Sequence, residues 1–415
     1  MWNASGAKIL HAILAHMPED LSTVTARPAS PYSAHILALD GLRGLAILAV
    51  MGSHLFPGTV ARGGWAVRAI GSLLPIGASG VDLFFVLSGF LITGILYDSL
   101  AEEHFFRTFY MRRALRIFPL YYGVIFLLLI LTPLLKIPWH GMQWSLMAYL
   151  QNTNVAMPLY KFHPGPYIGI DQMWSLAVEE QFYLVWPMVV FFVRKRSSLI
   201  AICLVGSIAS LVLRFELFQH GVIYDVVNRS TLCRADGLLT GAAFALLVRG
   251  RLHDRVLRWA PTVFWIALAI GVGQYEVPHL LHLTLTPFYE SYYVATRYTV
   301  MELLSAALLC WSLWPASLPR KVFEASILRF FGKYSYGLYM THQIPLPVLL
   351  PLFRGWAAII TASKAFAVAF AGVLSGGVGV GVAYTSYHAY EKHFLRLKKY
   401  FAYKKPRSKT RAADA

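Results

Sequence analysis

Charge is scarce in this sequence, and acid is scarcer than base. Asp, Glu, Lys and Arg make up 14% of its 415 residues, against roughly 25% in an ordinary soluble domain. Hydrophobic residues reach 57%, and the mean hydropathy is +0.55. That balance excludes a water-soluble enzyme of the usual kind. Twenty acidic residues face 37 basic ones, a net charge of +17. In a soluble chain such an excess would suggest nucleic acid, but here the cations fall mainly in alternate connections between apolar runs, so no nucleic-acid partner is inferred. Cysteine is almost missing: Cys203, Cys233 and Cys310 lie in or beside apolar runs, without CxxC or Cys/His spacing, and read as packing thiols. His279 and His282 lack acidic or thiol co-ligands, so no metal is expected. No repeat of fixed period and no appended soluble domain is evident. Nor is a cleavable leader, because the apolar stretch from Ile9 to Ala15 is short, contains His11, and soon meets Pro18, Glu19 and Asp20.

What the chain has in quantity is apolar sequence in lengths that suit a bilayer. Windows of about 20 residues give ten candidate helices, centred near Leu45, Phe90, Phe126, Val185, Ile208, Ala242, Leu268, Leu308, Met340 and Ala371. The expected fold is an all-α integral membrane bundle of about ten transmembrane helices. With the N-terminus inside, Arg112, Arg113 and Arg116 fall in one inner connection, and Arg194, Lys195 and Arg196 in the next. Arg249, Arg251, Arg255 and Arg258 fall in a third, Arg320, Lys321 and Arg329 in a fourth, and nine more cations follow Glu391. The positive-inside rule therefore puts both termini in the cytoplasm. The expected segments are a cytoplasmic N-terminal stretch, 1–35, a transmembrane domain, 36–390, and a basic tail, 391–415, lying on the anionic leaflet or disordered. Outer loops near Pro57–Ser79, Pro138–Met173 and Glu276–Thr296 hold many Pro, Gly and aromatic residues and could shape a mouth.

A charge inside a membrane is costly, so ionisable residues within the spans point to function. In ALDGLRGLAILAVMGSHLF, the step from Arg43 to His54 turns about 1100°, three turns plus roughly 20°, and rises about 16 Å, so both share one helical face. Guanidinium binds phosphate or carboxylate, and neutral imidazole can take a proton from a hydroxyl. The alternative is a snorkelling Arg and a packing His. Asp82 could orient His54 and stabilise its imidazolium, or simply start a helix. Ser88 reads as a helix-packing hydroxyl before a nucleophile. Arg113 and Arg116, three apart beside Arg112, can form one anion site or merely set topology. Glu179 and Glu180 point about 100° apart, so one should face a cavity, where it could orient a hydroxyl, pair with an Arg or assist proton transfer. Arg234 and Asp236 read as a structural ion pair. Tyr336, Tyr339 and His342 recur every third residue, as a wall of the site or as core. The GGVGVG run from Gly376 to Gly381 has no preceding strand, so it reads as helix packing and not as a dinucleotide loop.

Six segments in order then carry a resemblance: LDGLRGLAILAVMGSH, GVDLFFVLSGFLITGIL, FYMRRALRIFPLYY, WSLAVEEQFYLVWP, CRADGLLTGAAFALL and YSYGLYMTHQIP. Together they resemble the acyltransferase-3 family of integral membrane O-acyltransferases over nearly the whole chain. The resemblance implies ten helices, a bacterial inner-membrane location, and an acyl-CoA co-substrate, expected to be acetyl-CoA, reached from the cytoplasm. It implies a catalytic His at His54 and essential arginines at Arg43, Arg113 and Arg116. It also implies a carbohydrate or glycoconjugate acceptor. Where relatives often read Glu-x-Pro, this chain reads Glu391, Lys392, His393, a departure expected to affect only a cytoplasmic helix end. Some relatives carry a fused esterase-like domain; without one, the chain would finish the reaction alone or hand the acyl group on.

The expected activity is therefore O-acylation of a sugar hydroxyl, with Arg113, Arg116 and Arg43 holding acyl-CoA and His54 as general base, assisted by Asp82 or Glu179. The rival is a glycoconjugate transporter or flippase whose intramembrane charges line a path, with no CoA consumed. Acceptor identity, acyl length, direct transfer against an acyl-enzyme relay, and monomer against homo-oligomer stay open.

Overall fold

The computed structural model describes residues 36–56, 74–153, 168–280 and 287–403. Among these residues all regular structure is helical. The order begins with α1 (Leu37–Leu55), α2 (Leu74–Asp98), α3 (Phe105–Ile130) and two short turns, α4 (Thr132–Leu135) and α5 (Met142–Met147). It continues with α6 (Met173–Val193), α7 (Arg196–Gln219), α8 (Tyr224–Arg229), α9 (Thr231–Leu247), α10 (His253–Leu280) and α11 (Pro287–Leu313). The last elements are α12 (Leu318–Phe323), α13 (Ser326–Thr341), α14 (Leu346–Ile360), α15 (Lys364–Ser386), a π-turn (Tyr387–Glu391), α16 (Lys392–Arg396) and a closing 3₁₀ turn (Leu397–Phe401).

Every centre read from the sequence falls within a helix, but fewer helices qualify as spans. By length and composition, seven stretches among the described residues are long and apolar enough to cross a membrane. The number is eight if α13 and α14, bent by 99° at the intervening residues, form one broken span. Two expected spans, α9 and α11, fall outside that set. The first is only 17 residues long and contains Arg234 and Asp236; the second contains Glu290, Arg297 and Glu302. Residues such as Ile359 and Phe192, 85% and 77% exposed, give the bundle an apolar outer surface suited to lipid and not to water.

Close helix approach depends on glycine at two seams. A methyl group at Gly89 of α2 would collide with the Leu238 carbonyl of α9, and one at Gly241 of α9 with the Val86 carbonyl of α2. The same reciprocity joins α1 and α13, through Gly44 against Leu328 and Gly332 against Asp40. In a membrane, where hydrophobic burial gives no drive between helices, such backbone contact supplies the packing attraction. Two large apolar cores result among the described residues. One gathers α1, α3 and α13 with Trp139, Met142 and Ile170; the other gathers α2, α6, α7 and α9. Val81 and Tyr336 pack against both, which places the space between the two cores next to α2 and α13.

The break after α13 is tied down from the segment that precedes α6. The Gly169 amide donates to the Ile344 carbonyl at 3.2 Å, and the Gln172 amide to Gln343 Oε1 at 3.3 Å. The chain thus leaves α13 with His342 as its C-cap, held in one orientation.

The expected basic tail begins differently from a free segment. The π-turn rotates Glu391 inward until it is 8% exposed, and Ser386 Oγ donates to it at 3.2 Å. Beyond it, Arg112 Nη1 of α3 donates to the carbonyls of Lys398 and Phe401, at 3.3 and 3.1 Å. The Arg107 and Arg112 guanidiniums lie over the rings of Phe401 and Tyr403. Burial raises the Tyr403 phenol above its ordinary range against the pull of Arg112 and Arg113. Glu391 thus reaches the bundle interior, whereas His393, the residue standing where relatives often have Pro, lies exposed in the short helix α16.

Candidate functional site

Between the two cores lies a cavity of about 100 Å³ lined from α1, α2, α3, α6 and α13. Arg43, Arg113 and Arg116 all reach it, as do Ser88, Glu179, Tyr336 and Tyr339. Helical spacing explains the convergence: Arg113 and Arg116 are one turn apart, as are Tyr336 and Tyr339. Ser175, Tyr183 and Ser335 join the lining.

The charges of this cavity do not balance. Asp40 pairs with Arg43 at 3.0 Å, on the rim side of α1. Among the described residues Arg113 and Arg116 make no carboxylate ion pair within 4.0 Å; Arg113 instead stands over the Tyr183 ring at 5.2 Å. Glu179 is the single acid in the lining, and its two oxygens accept from Ser88 Oγ at 3.1 Å and Tyr183 Oη at 2.8 Å. Three guanidiniums, one of them paired with Asp40, face the single lining carboxylate, and Arg can present paired donors to phosphate oxygens. Lys398, from the closing 3₁₀ turn, lies in the electrostatic neighbourhood of Arg116, Arg113, Arg112 and Arg43.

Glu180, one residue on, does not line the cavity. Among the described residues its buried Oε1 has no hydrogen-bond partner, and its charge bears on the Tyr149 phenol. That phenol, in the segment after α5, is raised far above its ordinary range, first by burial and then by Glu180. Tyr336 donates to the Ile117 carbonyl at 2.6 Å, fixing α13 to α3 beside the arginines. Tyr339 donates to the Gln172 carbonyl at 2.9 Å and shares a 2.5 Å contact with Ser175 Oγ.

His54 sits beyond the cavity, at the far end of the same helix as Arg43. Its Nδ1 is 2.9 Å from Nε2 of His342. Tyr339 connects the two regions, lining the cavity while its ring centroid is 6.4 Å from that of His342. The glycine run packs beneath: a methyl group at Gly379 would touch His342, and one at Gly376 would press on Leu55. That run lies inside α15, as helix packing requires.

Asp82, expected as a partner for His54, is committed elsewhere. It is 4% exposed and takes a short ion-paired hydrogen bond from Arg234 of α9. Arg234 in turn lies 3.8 Å from the Tyr298 ring centre. Asp236, expected to pair with Arg234, pairs with Arg214 of α7 at 2.6 Å. Arg214, fully buried, also donates to the carbonyls of Ala295 and Cys233 and to Thr299 Oγ1. Adjacent charges on α9 thus face opposite neighbours, because two residues along a helix turn the side chain by about 200°. The three cysteines are buried and free. The His279 and His282 side chains lie outside the described residues.

The sequence from residue 36 to 385 matches the model of a family described as an acyltransferase domain, the acyltransferase-3 family. This chain belongs to the acyltransferase-3 family. As a family member it is 28% identical over 360 residues to Peptidoglycan O-acetyltransferase OatA of Listeria monocytogenes, covering 81% of this chain and 54% of that protein. It is 30% identical over 338 residues to Putative peptidoglycan O-acetyltransferase YrhL of Bacillus subtilis, covering 76% of this chain and 49% of that protein. A Putative O-acetyltransferase of Staphylococcus aureus (strain COL) is 27% identical over 331 residues, with 74% and 50% covered. The acyltransferase-3 chain therefore spans about half the length of the curated relatives it matches. No solved structure matches it.

Proposed function

We propose that this protein transfers an acetyl group from acetyl-CoA to a hydroxyl of a cell-surface carbohydrate, of the peptidoglycan class acted on by its named relatives. The observation that carries the reading is one helix bearing a polyanion site at Arg43 and a hydrogen-bonded imidazole at His54, about 16 Å farther along its axis. A carrier with phosphates at one end of an extended arm and a thioester at the other suits that layout.

In the proposed reaction Arg43, Arg113 and Arg116 hold the CoA phosphates, and both chain termini lie on the cytoplasmic side from which the donor arrives. His54 takes the proton of the acceptor hydroxyl as its oxygen bonds to the thioester carbonyl carbon. The tetrahedral adduct collapses with cleavage of the carbon–sulfur bond. The proton on His54 passes to the departing thiolate, leaving the ester and free CoA. Glu179, whose oxygens accept from Ser88 and Tyr183, would set the charge balance among the arginines that hold the CoA phosphates.

Purified protein in lipid vesicles, supplied with labelled acetyl-CoA and peptidoglycan fragments, tests the reading. Wild type should form labelled ester and His54→Ala should lose it. Undiminished transfer by His54→Ala, or movement of a glycan across the membrane with no CoA released, would overturn it. A single cysteine introduced as Lys399→Cys should react with an impermeant reagent only from the cytoplasmic side.

A further inference from the structure

His54 and His342 are 288 positions apart in the chain, yet their rings meet nitrogen to nitrogen at 2.9 Å. The ring centroids are 5.2 Å apart and the planes differ by 19°. That separation is what the nitrogen contact plus one ring radius at each end requires. The rings therefore meet edge to edge, with the bond near both planes and along a lone-pair direction, as a strong imidazole hydrogen bond needs.

The donor at each nitrogen follows from what lies behind His342. Its other nitrogen, Nδ1, is 2.7 Å from the Leu338 carbonyl oxygen. A carbonyl only accepts, so His342 Nδ1 carries the hydrogen. A neutral imidazole has one N–H, so His342 Nε2 must be the acceptor. The hydrogen in the contact between the rings then belongs to His54 Nδ1, and the lone pair of neutral His54 is left on Nε2.

We infer that His342 is the positioning residue of the acyl-transfer site, fixing His54 as the tautomer whose Nε2 is free to take a proton. This inference rests on the function proposed above. It gives His342 the part that an acid has in hydrolase triads, with a backbone carbonyl behind it in place of a carboxylate. When His54 Nε2 gains the acceptor proton, the positive charge strengthens the Nδ1–H bond to His342, and no proton needs to leave the pair. His342 is 1% exposed and sits at the tied-down break after α13, whereas His54 is half-buried and keeps access. The break is therefore what aims the base.

Two substitutions of similar size and polarity separate this role from packing. A Gln side chain carries an amide oxygen near the position of histidine Nε2; an Asn side chain reaches only as far as Nδ1. His342→Gln should retain transfer within about tenfold of wild type, while His342→Asn and His342→Ala should lose about 100-fold or more in kcat. The KM for acetyl-CoA should be unchanged in all three. Equal activity of the Asn and Gln variants, or a loss confined to KM, overturns the inference. Solid-state NMR of histidine-labelled protein in lipid, differenced against His54→Asn, reads the tautomer without any turnover. A protonated Nδ1 and bare Nε2 on His54 support the inference; the reverse tautomer sinks it. If wild type transfers no acyl group but shows the first pattern, the proposed function fails and the tautomer assignment stands.

Discussion

Glu179 and Glu180 are consecutive in α6, yet only the carboxylate of Glu179 lines the arginine cavity, held there by Ser88 and Tyr183. The helix turn that separates two neighbouring side chains assigns one to the site and the other to a tyrosine-lined wall.

That difference predicts unequal mutants. Glu179→Gln removes a charged acceptor of two hydrogen bonds, each worth about 1.5–3 kcal/mol when one partner is ionised, and should lower acyl transfer by about 10–100-fold. Glu180→Gln should stay within about twofold of wild type, because it changes a group outside the cavity. Turnover of labelled acetyl-CoA by the two variants decides it; equal losses would mean that the cavity does not select between them.

At Arg113 the expectation concerns geometry as well as charge. Among the described residues its guanidinium makes no carboxylate pair and stands over the Tyr183 ring. Arg113→Ala should raise the KM for acetyl-CoA by about 10–100-fold, and Arg113→Lys should recover only part of it, since an ammonium neither stacks nor binds phosphate through two parallel donors. Steady-state kinetics at two salt concentrations read this directly. Full recovery by lysine would reduce Arg113 to a point charge.

The buried pair Arg214–Asp236 predicts a stability effect and not a catalytic one. Removing one partner, as in Arg214→Leu, strands the other charge among fully buried atoms and should destabilise the fold by about 3–5 kcal/mol. Replacing both with apolar side chains should restore much of the loss. Thermal unfolding followed by size-exclusion chromatography in detergent measures both variants. If the double substitution is as unstable as Arg214→Leu alone, the network around Thr299 and Glu302 depends on these charges themselves.

Arg112 holds the closing turn through two backbone carbonyls. Arg112→Ala should release it, seen as severalfold faster tryptic cleavage after Lys398 and Lys399. It should also raise the KM for acetyl-CoA severalfold, because Lys398 would leave the neighbourhood of Arg116. Unchanged cleavage would show that the aromatic contacts of Phe401 and Tyr403 hold the turn unaided.

Much of the arrangement was readable from the sequence because its signals are local. Apolar windows located the ten helix centres, and helical spacing brought Arg113 to Arg116 and Tyr336 to Tyr339. The 100° step separated Glu179 from Glu180. What escaped was pairing between distant segments. Asp82 and Arg234 are 152 positions apart, and no local pattern distinguishes that partnership from Arg234 with Asp236. The same holds for His342, whose bond to His54 depends on where the chain breaks after α13. The sequence expects ten spans; among the described residues seven or eight stretches meet the length and hydropathy of a span, and α9 and α11 do not, with Arg234, Asp236 and Glu302 buried within the bundle. The contacts of the closing turn were not legible either, because Arg112 of α3 binds the backbone carbonyls of Lys398 and Phe401, which a run of basic side chains does not announce.

The charge excess around Arg43, Arg113 and Arg116 has a practical consequence for handling the molecule. Arg113 and Arg116 add repulsion to the pocket until something negative occupies it, so an anion that binds there should raise the protein's resistance to heat. Adenosine 3′,5′-bisphosphate, which carries no acyl group and cannot react, should raise the melting temperature by mass action; at 100 times its Kd the gain is about 2.7 kcal/mol. Preparations washed free of phosphate and nucleotide would then fail first.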